Sequence, residues 1–189
     1  TLPAYYKGTA IGTIGDIACF SFYATKNITT GEGGMITTDN DEWAERMRVM
    51  SLHGISKDAW KRYTAEGNWY YEIIAPGYKY NLTDIGAALG LSQLRKSDTL
   101  WERRKKIASM YNEAFRNVEE IEIPLSGKNE RFDFDVEIQH SWQLYVIKLE
   151  LDRLSIGRNR FIEELREKGV GTSVHFIPLH VHPYYRDTY

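Results

Sequence analysis

Along residues 17–23 the chain alternates in the manner of a strand. Ile17, Cys19, Ser21 and Tyr23 fall on one face, and Ala18, Phe20 and Phe22 on the other. Both faces are largely apolar, which predicts a strand covered on two sides within an α/β sheet. The glycine turn Gly31-Glu32-Gly33-Gly34 permits a sharp return, and Met35 to Thr38 predicts a second, short strand. Asp39 and Asn40 then offer caps for a helix from Asp41 to Ser51, whose acidic first turn suits the helix dipole. Thr83 or Asp84 caps another helix, running to Lys96. Ser97-Asp98 opens a longer one, with Leu100, Ile107, Met110, Tyr111 and Phe115 at helical spacing. Trp142 to Leu149 predicts a strand, Asn159 to Lys168 an amphipathic helix stopped by Gly169, and Gly171 to Phe176 a last strand.

Two stretches break this rhythm. Residues 54–76 mix charge with Trp60, Trp69, Tyr70 and Tyr71 and end at Ala75-Pro76-Gly77, which predicts a long ordered excursion of a functional or interfacial kind. Residues 124–141 are polar and acidic and predict a loop. The pattern as a whole is α/β in two lobes, residues 1–97 and residues 98–189, with the long helix opening the second.

Composition narrows the function. The 189 residues make one domain or two small ones. A net charge of −2 gives no electrostatic case for nucleic acid or an anionic membrane. The basic run Arg103-Arg104-Lys105-Lys106 reads as the wet face of a helix. Cys19 is the single cysteine, so no intrachain disulfide forms, and a reduced, cytoplasmic setting is expected. No apolar run reaches the roughly 20 residues of a membrane span.

The candidate chemistry centres on Lys26. It follows the apolar strand directly and sits five residues after Ser21, so one turn carries an amine close to a hydroxyl. A lysine on a turn is more often simply solvated. Ser21 and Lys26 are too far apart in sequence for a Ser-x-x-Lys acyl-transfer pair. Neither a G-x-x-x-x-G-K-[ST] nor a G-x-G-x-x-G run is present. An ordered series of short motifs surrounds the lysine. It comprises Tyr6-Lys7-Gly8, Gly12-x-x-Gly15-Asp16, Phe20-Ser21-Phe22, Lys26, Gly31-Glu32-Gly33-Gly34, Arg48-x-x-x-x-His53-Gly54 and Gly77-Tyr78-x-Tyr80. With this series the chain resembles the pyridoxal-phosphate sugar aminotransferases of the DegT/DnrJ/EryC1/StrS family, from about residue 5 onward.

The resemblance implies a fold-type I aminotransferase: part of the large mixed α/β domain, the linking helix and a small α/β lobe. It implies pyridoxal 5′-phosphate as cofactor, bound to Lys26 as a Schiff base, with Lys26 then acting as general acid–base. Ser21 matches the serine that contacts the cofactor phosphate. The segment around Asn81 is one that, in the family, crosses to a partner subunit and touches that subunit's phosphate. The common Gly-x-Asn-x-Arg pattern reads Lys79 and Asn81 here, so either residue could make that contact, or Asn81 could simply cap the turn. His175 and His180 match a small-lobe segment that approaches the substrate, although each also reads as an ordinary hydrogen-bonded loop residue. His175, His180 and His182 fit no common zinc spacing, and no metal is expected. The implied reaction is amino transfer, from glutamate, to a nucleotide-linked keto sugar in polysaccharide or amino-sugar biosynthesis, by a homodimer with residues 60–71 and 77–90 at its interface. The alternative is a non-catalytic or regulatory relative, or a fragment acting only by association. A dehydratase of the same family generally carries histidine where Lys26 stands.

The acid expected to hold the pyridine nitrogen protonated lies, in the family, ahead of the position of Thr1, and family members continue beyond Tyr189. The chain therefore reads as an internal piece and is expected not to transaminate alone, because the main electrostatic support of the carbanion is missing. Intact-mass spectrometry with a glutamate half-reaction assay checks this. A pure 21.9 kDa species that converts pyridoxal phosphate to its amino form at an enzymatic rate would reject it.

Overall fold

The computed structural model describes residues 2–56, 71–124 and 138–189. Most of the aromatic excursion and of the polar loop expected at 124–141 lies outside the described residues. The chain divides into two compact units. One comprises Thr1–Lys106 with Ser126–Gln143, the other Ile107–Leu125 with Leu144–Tyr189.

In the first unit, β1 (Tyr5–Tyr6) and β2 (Thr9–Ala10) form a tight hairpin. Its two turn residues, Lys7 and Gly8, both have positive φ (51° and 74°), as a type I′ turn requires. β6 (Ile138–Gln139) pairs antiparallel with the other edge of β1. The lysine segment sits in a second hairpin, β3 (Ala18–Ser21) against β4 (Gly34–Thr37), in register Ser21↔Gly34 and Phe20↔Met35. The strand is shorter than the alternation predicts. Only its Ala18–Phe20 face is partly covered, while Cys19 and Ser21 are exposed in this chain. The expectation of two covered faces is therefore not met within these residues.

Helix α1 (Asp41–Ser51) begins at Asn40, whose Oδ1 accepts the Trp43 N–H at 3.0 Å. After the Leu52 cap both His53 (φ 58°) and Gly54 (φ 70°) are left-handed, and Gly54 donates its N–H to Val49 O at 3.0 Å. Gly54 is needed for a second reason. A Cβ there would lie 1.7 Å from Ala75 O, and a Cβ on Gly77 would lie 1.9 Å from Gly54 N. Two backbones pass in direct contact at these glycines. Hydrogen bonds from His53 N to Tyr78 O (2.7 Å), Tyr78 N to Met50 O (2.7 Å) and Ile74 N to Gly54 O (2.8 Å) close the pass.

That pass delivers the chain to α2 (Asp84–Leu94), capped by Thr83, whose Oγ1 accepts the Gly86 N–H at 3.1 Å. A Cβ on Gly90 would lie 3.1 Å from Thr30 Cγ2, so α2 packs closely on the chain just beyond the lysine turn. Helix α3 (Ser97–Phe115) follows after a short turn.

In the second unit, β5 (Ile121–Glu122) pairs antiparallel with β7 (Lys148–Leu149), with Lys148 Nζ 2.8 Å from Glu122 Oε1. Tyr111, Phe115 and Tyr145 form an aromatic cluster, with ring centroids 5.0 Å apart for Tyr111–Tyr145 and 5.7 Å for Tyr111–Phe115. Tyr145 donates its hydroxyl to Asn112 Oδ1 at 2.7 Å. Burial, with Tyr111 beside it, raises the Tyr145 phenol above its ordinary value. Helix α4 (Arg158–Glu167) ends as the sequence predicts. Gly169 has φ 79°, Gly169 N donates to Arg166 O, and Val170 N donates to Leu165 O. A short helix, α5 (Pro183–Thr188), ends the chain. Two expected strands are corrected here. Only Lys148–Leu149 of residues 142–149 pairs, and residues 171–176 pair with nothing among the described residues. β-propensity supplies an extended backbone, but a ladder also needs a partner edge.

The glycine pass yields a graded prediction. In the full-length protein, Gly54→Ala is expected to lower stability by about 2–4 kcal/mol, through strain and backbone collision. Gly8→Ala, at φ 74° in open space among the described residues, is expected to cost about 1 kcal/mol. Thermal melting of both variants checks the order, and equal losses would show that the contact between the two backbones is not tight.

Candidate active site

Lys26 lies where β3 has ended and the chain turns. Lys26 N donates to Tyr23 O at 2.9 Å, which closes the turn that carries the side chain. Ala24 and Thr25 are exposed, Lys26 is half-buried, and Asn27 and Ile28 are buried. The lysine thus stands at the step where the turn enters the protein. The far side of the turn is held through Phe22. Its N–H donates to Gly33 O at 2.8 Å, and its carbonyl accepts from Thr30 N at 3.0 Å and Thr29 Oγ1 at 3.1 Å. Thr29 Oγ1 in turn accepts the Gly31 N–H at 2.9 Å, so the glycine run is tied to the turn it follows.

Ser21, the last residue of β3, accepts the Tyr23 N–H on Oγ at 3.3 Å. Its hydroxyl proton is left to donate elsewhere. Ser21 and Lys26 line one small cavity together with Leu2, Phe20, Phe22, Asn27 and Ile28. Its volume of ≈ 10 Å³ is that of about one water molecule. The fit to pyridoxal phosphate therefore rests on the donor set rather than on an enclosed cavity. Lys26, whose amine can bond to an aldehyde, and Ser21, whose hydroxyl can donate to a phosphate oxygen, line the same cavity. These residues fit that group.

Asn81 and Lys79, the two alternatives for a phosphate contact, are not independent, because Lys79 Nζ donates to Asn81 Oδ1. The pair presents one positive charge with an amide beside it. The Tyr78 and Tyr80 rings stack at 5.0 Å on the same segment.

His175 and His180 belong to the second unit and are both exposed. The His175 ring packs against Phe176 at 3.7 Å between centroids, and His180 lies in a single 3₁₀ turn, Leu179–Val181. Among the described residues no group of three or more His, Cys, Asp or Glu is placed to hold a metal ion. No described helix is long and apolar enough to cross a membrane.

Three residues near the lysine escape sequence reasoning. Asn27 is 8% exposed and Ser141 6%, yet in the sequence both read as loop residues. Asn27 Nδ2 donates to Ser141 O at 2.9 Å and reaches Leu2 O at 3.4 Å. His140 accepts the Trp142 N–H on Nδ1 at 2.9 Å, which requires the neutral ring, and burial correspondingly lowers its pKa. Nothing in local composition marks Asn27 and Ser141, since the contact between them crosses 114 residues of chain.

The chain is similar to several known proteins. The chain is 57% identical over 188 residues to the uncharacterized protein MJ1066 of Methanocaldococcus jannaschii, covering 100% of this chain and 47% of that protein. It is 48% identical over 182 residues to the spore coat polysaccharide biosynthesis protein SpsC of Bacillus subtilis, covering 96% of this chain and 45% of that one. The chain thus spans a little under half the length of these relatives. Among solved structures, a putative sugar aminotransferase of Streptococcus pneumoniae, Spr1654, in its pyridoxal-phosphate form, matches with a TM-score of 0.80 at 35% identity. The match covers 98% of this chain and 44% of that one. The architecture is that of the fold-type I, pyridoxal-phosphate-dependent sugar aminotransferases, an α/β fold. The profile of one family matches all of residues 1–189, and the chain belongs to it: the DegT/DnrJ/EryC1/StrS aminotransferase family.

Proposed function

We propose that the chain carries the catalytic lysine of a pyridoxal-phosphate enzyme. The enzyme transfers an amino group from glutamate to a nucleotide-linked keto sugar, in polysaccharide or amino-sugar biosynthesis in the cytoplasm. The observation that carries this reading is the placement of Lys26. It is a half-buried residue on the turn that follows a strand, held from both sides, and it lines the same cavity as a serine whose hydroxyl has a proton to donate. The names of the relatives, a polysaccharide biosynthesis protein and a sugar aminotransferase, support the substrate class.

Pyridoxal phosphate, when bound, supplies the electron sink that lets an amino-acid carbon lose its proton. In this reading Lys26 Nζ would hold the cofactor covalently, and its amine would serve as the general acid–base that moves the proton of that carbon. Ser21 Oγ donates to the phosphate and fixes its distance from Lys26. The Lys79–Asn81 pair is assigned to the phosphate bound by a partner subunit, where the lysine charge and the amide act together. His175 and His180 are assigned to the sugar, as donors or acceptors from the small lobe.

The apolar surface between residues 73 and 94 supports the homodimer. Ile73, Ile74, Tyr78, Tyr80, Ile85 and Leu91 are all exposed, Tyr80 by 75% and Ile85 by 85%. Exposed apolar side chains on one short segment suit an interaction surface.

Two outcomes are expected. Borohydride reduction of the cofactor-loaded full-length protein should fix the label on the peptide containing Lys26, and Lys26→Ala should lower turnover about 100- to 10,000-fold. Label on Lys7 or Lys79 would reject the assignment. Sedimentation of the full-length protein at micromolar concentration should show a dimer, and Ile85→Glu should weaken it, whereas a wild-type monomer would contradict the shared site.

A further inference from the structure

We propose that Asn27 is a positioning residue for Lys26, its buried amide clamping the lysine-bearing turn to two backbone carbonyls remote in sequence. The proposal rests on Lys26 as the residue that bonds the cofactor.

The clamp has three parts. The first is Asn27 itself, adjacent to Lys26 and 8% exposed. Its Nδ2 donates to Ser141 O at 2.9 Å and to Leu2 O at 3.4 Å, contacts that span 114 and 25 residues of sequence. The orientation of the amide follows from the network, because the opposite flip would set its oxygen against two carbonyl oxygens. The second part is the anchor. The carbonyl that Asn27 reaches sits in a segment held at three further points. Trp101 Nε1 donates to His140 O at 2.9 Å, Trp142 N donates to His140 Nδ1 at 2.9 Å, and Arg104 Nη1 donates to Trp142 O at 3.3 Å. Two of these bonds tie the segment to α3, and the third closes it on itself. The third part is Ile28, 4% exposed, which seats the other side of Asn27 in the core. Between this pinned pair and the Lys26 N–H to Tyr23 O bond, the Lys26 backbone has little freedom left.

The unused half of the amide separates positioning from simple filling. Asn27 Oδ1 is buried with no hydrogen-bond partner among the described residues. An unpaired buried acceptor is destabilising, and an apolar side chain of similar volume would fill the space at less cost. What asparagine adds is the donor that reaches both carbonyls from one side chain. Asn27 also lines the same small cavity as Lys26 and Ser21, so a change at Asn27 alters a space shared by both. Reactivity at a covalent attachment point depends on approach geometry, so loosening this turn slows bond formation before it abolishes binding.

The test uses the full-length protein and pyridoxal phosphate as the probe. Asn27→Ala removes the amide. Asn27→Asp keeps its shape and removes the donor. Val49→Ala, a core truncation in α1, serves as a reference of comparable thermal destabilisation. Three quantities are read: the rate of pyridoxal-phosphate capture by the cofactor-free protein, the visible circular dichroism per mole of bound cofactor, and the melting temperature. Both Asn27 variants are expected to capture the cofactor about tenfold more slowly and to show reduced dichroism, while Val49→Ala changes the melting temperature alone. If the Asn27 variants match wild type in capture and dichroism, or if Val49→Ala shows the same losses, the positioning role is overturned. Borohydride labelling of the wild-type protein separates the layers. Label on Lys26 with silent Asn27 variants defeats only the clamp, and label on another lysine defeats the underlying assignment and the clamp with it.

Discussion

One side-chain amide joins three stretches of this chain. Through Asn27 Nδ2 the turn after β3 meets the carbonyl of Leu2, before β1, and the carbonyl of Ser141, beyond β6. Both Asn27 and Ser141 are buried, so these bonds form away from water, where a lost partner is costly and a kept one is well defined. The hairpin β3–β4 supplies direction to the lysine segment, but a hairpin of two four-residue strands is marginal by itself. The amide gives the turn a fixed place in the first unit.

A second constraint acts at the pass of Gly54 and Gly77. There two backbones touch where any side chain would collide, and a ladder of hydrogen bonds spans the contact. The consequence travels along the chain. Residues 77–83 leave the pass in a set direction, carry the stacked Tyr78 and Tyr80 and the Lys79–Asn81 pair, and enter α2 at the Thr83 cap. Gly90 of α2 then packs closely on Thr30, next to the glycine run that follows the lysine turn. Gly54 and Gly77 are thus spacers as much as turn formers, since each lets one backbone approach another.

The second unit is built by different means. Its order comes from the aromatic cluster of Tyr111, Phe115 and Tyr145, the Tyr145–Asn112 hydrogen bond and the short β5–β7 pairing. The two histidines assigned to substrate stand on its exposed, irregular segment, where a flexible polar ligand can be met without disturbing that cluster.

What the sequence determined by itself is local. Helix Asp41–Ser51 and its Asn40 cap, the Thr83 cap of α2, the start of α3 at Ser97 and the stop at Gly169 all follow from residues within one or two turns of each other. The motif series around Lys26, ordered and spaced, was enough to name the family that the chain belongs to. Tertiary structure decided the rest. It brought Gly54, left-handed like His53 before it, into backbone contact with Gly77, a demand set by a partner more than twenty residues away. It left residues 171–176 extended but unpaired, because a strand is completed only by a neighbouring edge. And it buried Asn27 and Ser141, two residues that look like loop polar groups, because their partners lie across the chain and only folding brings a donor to those carbonyls.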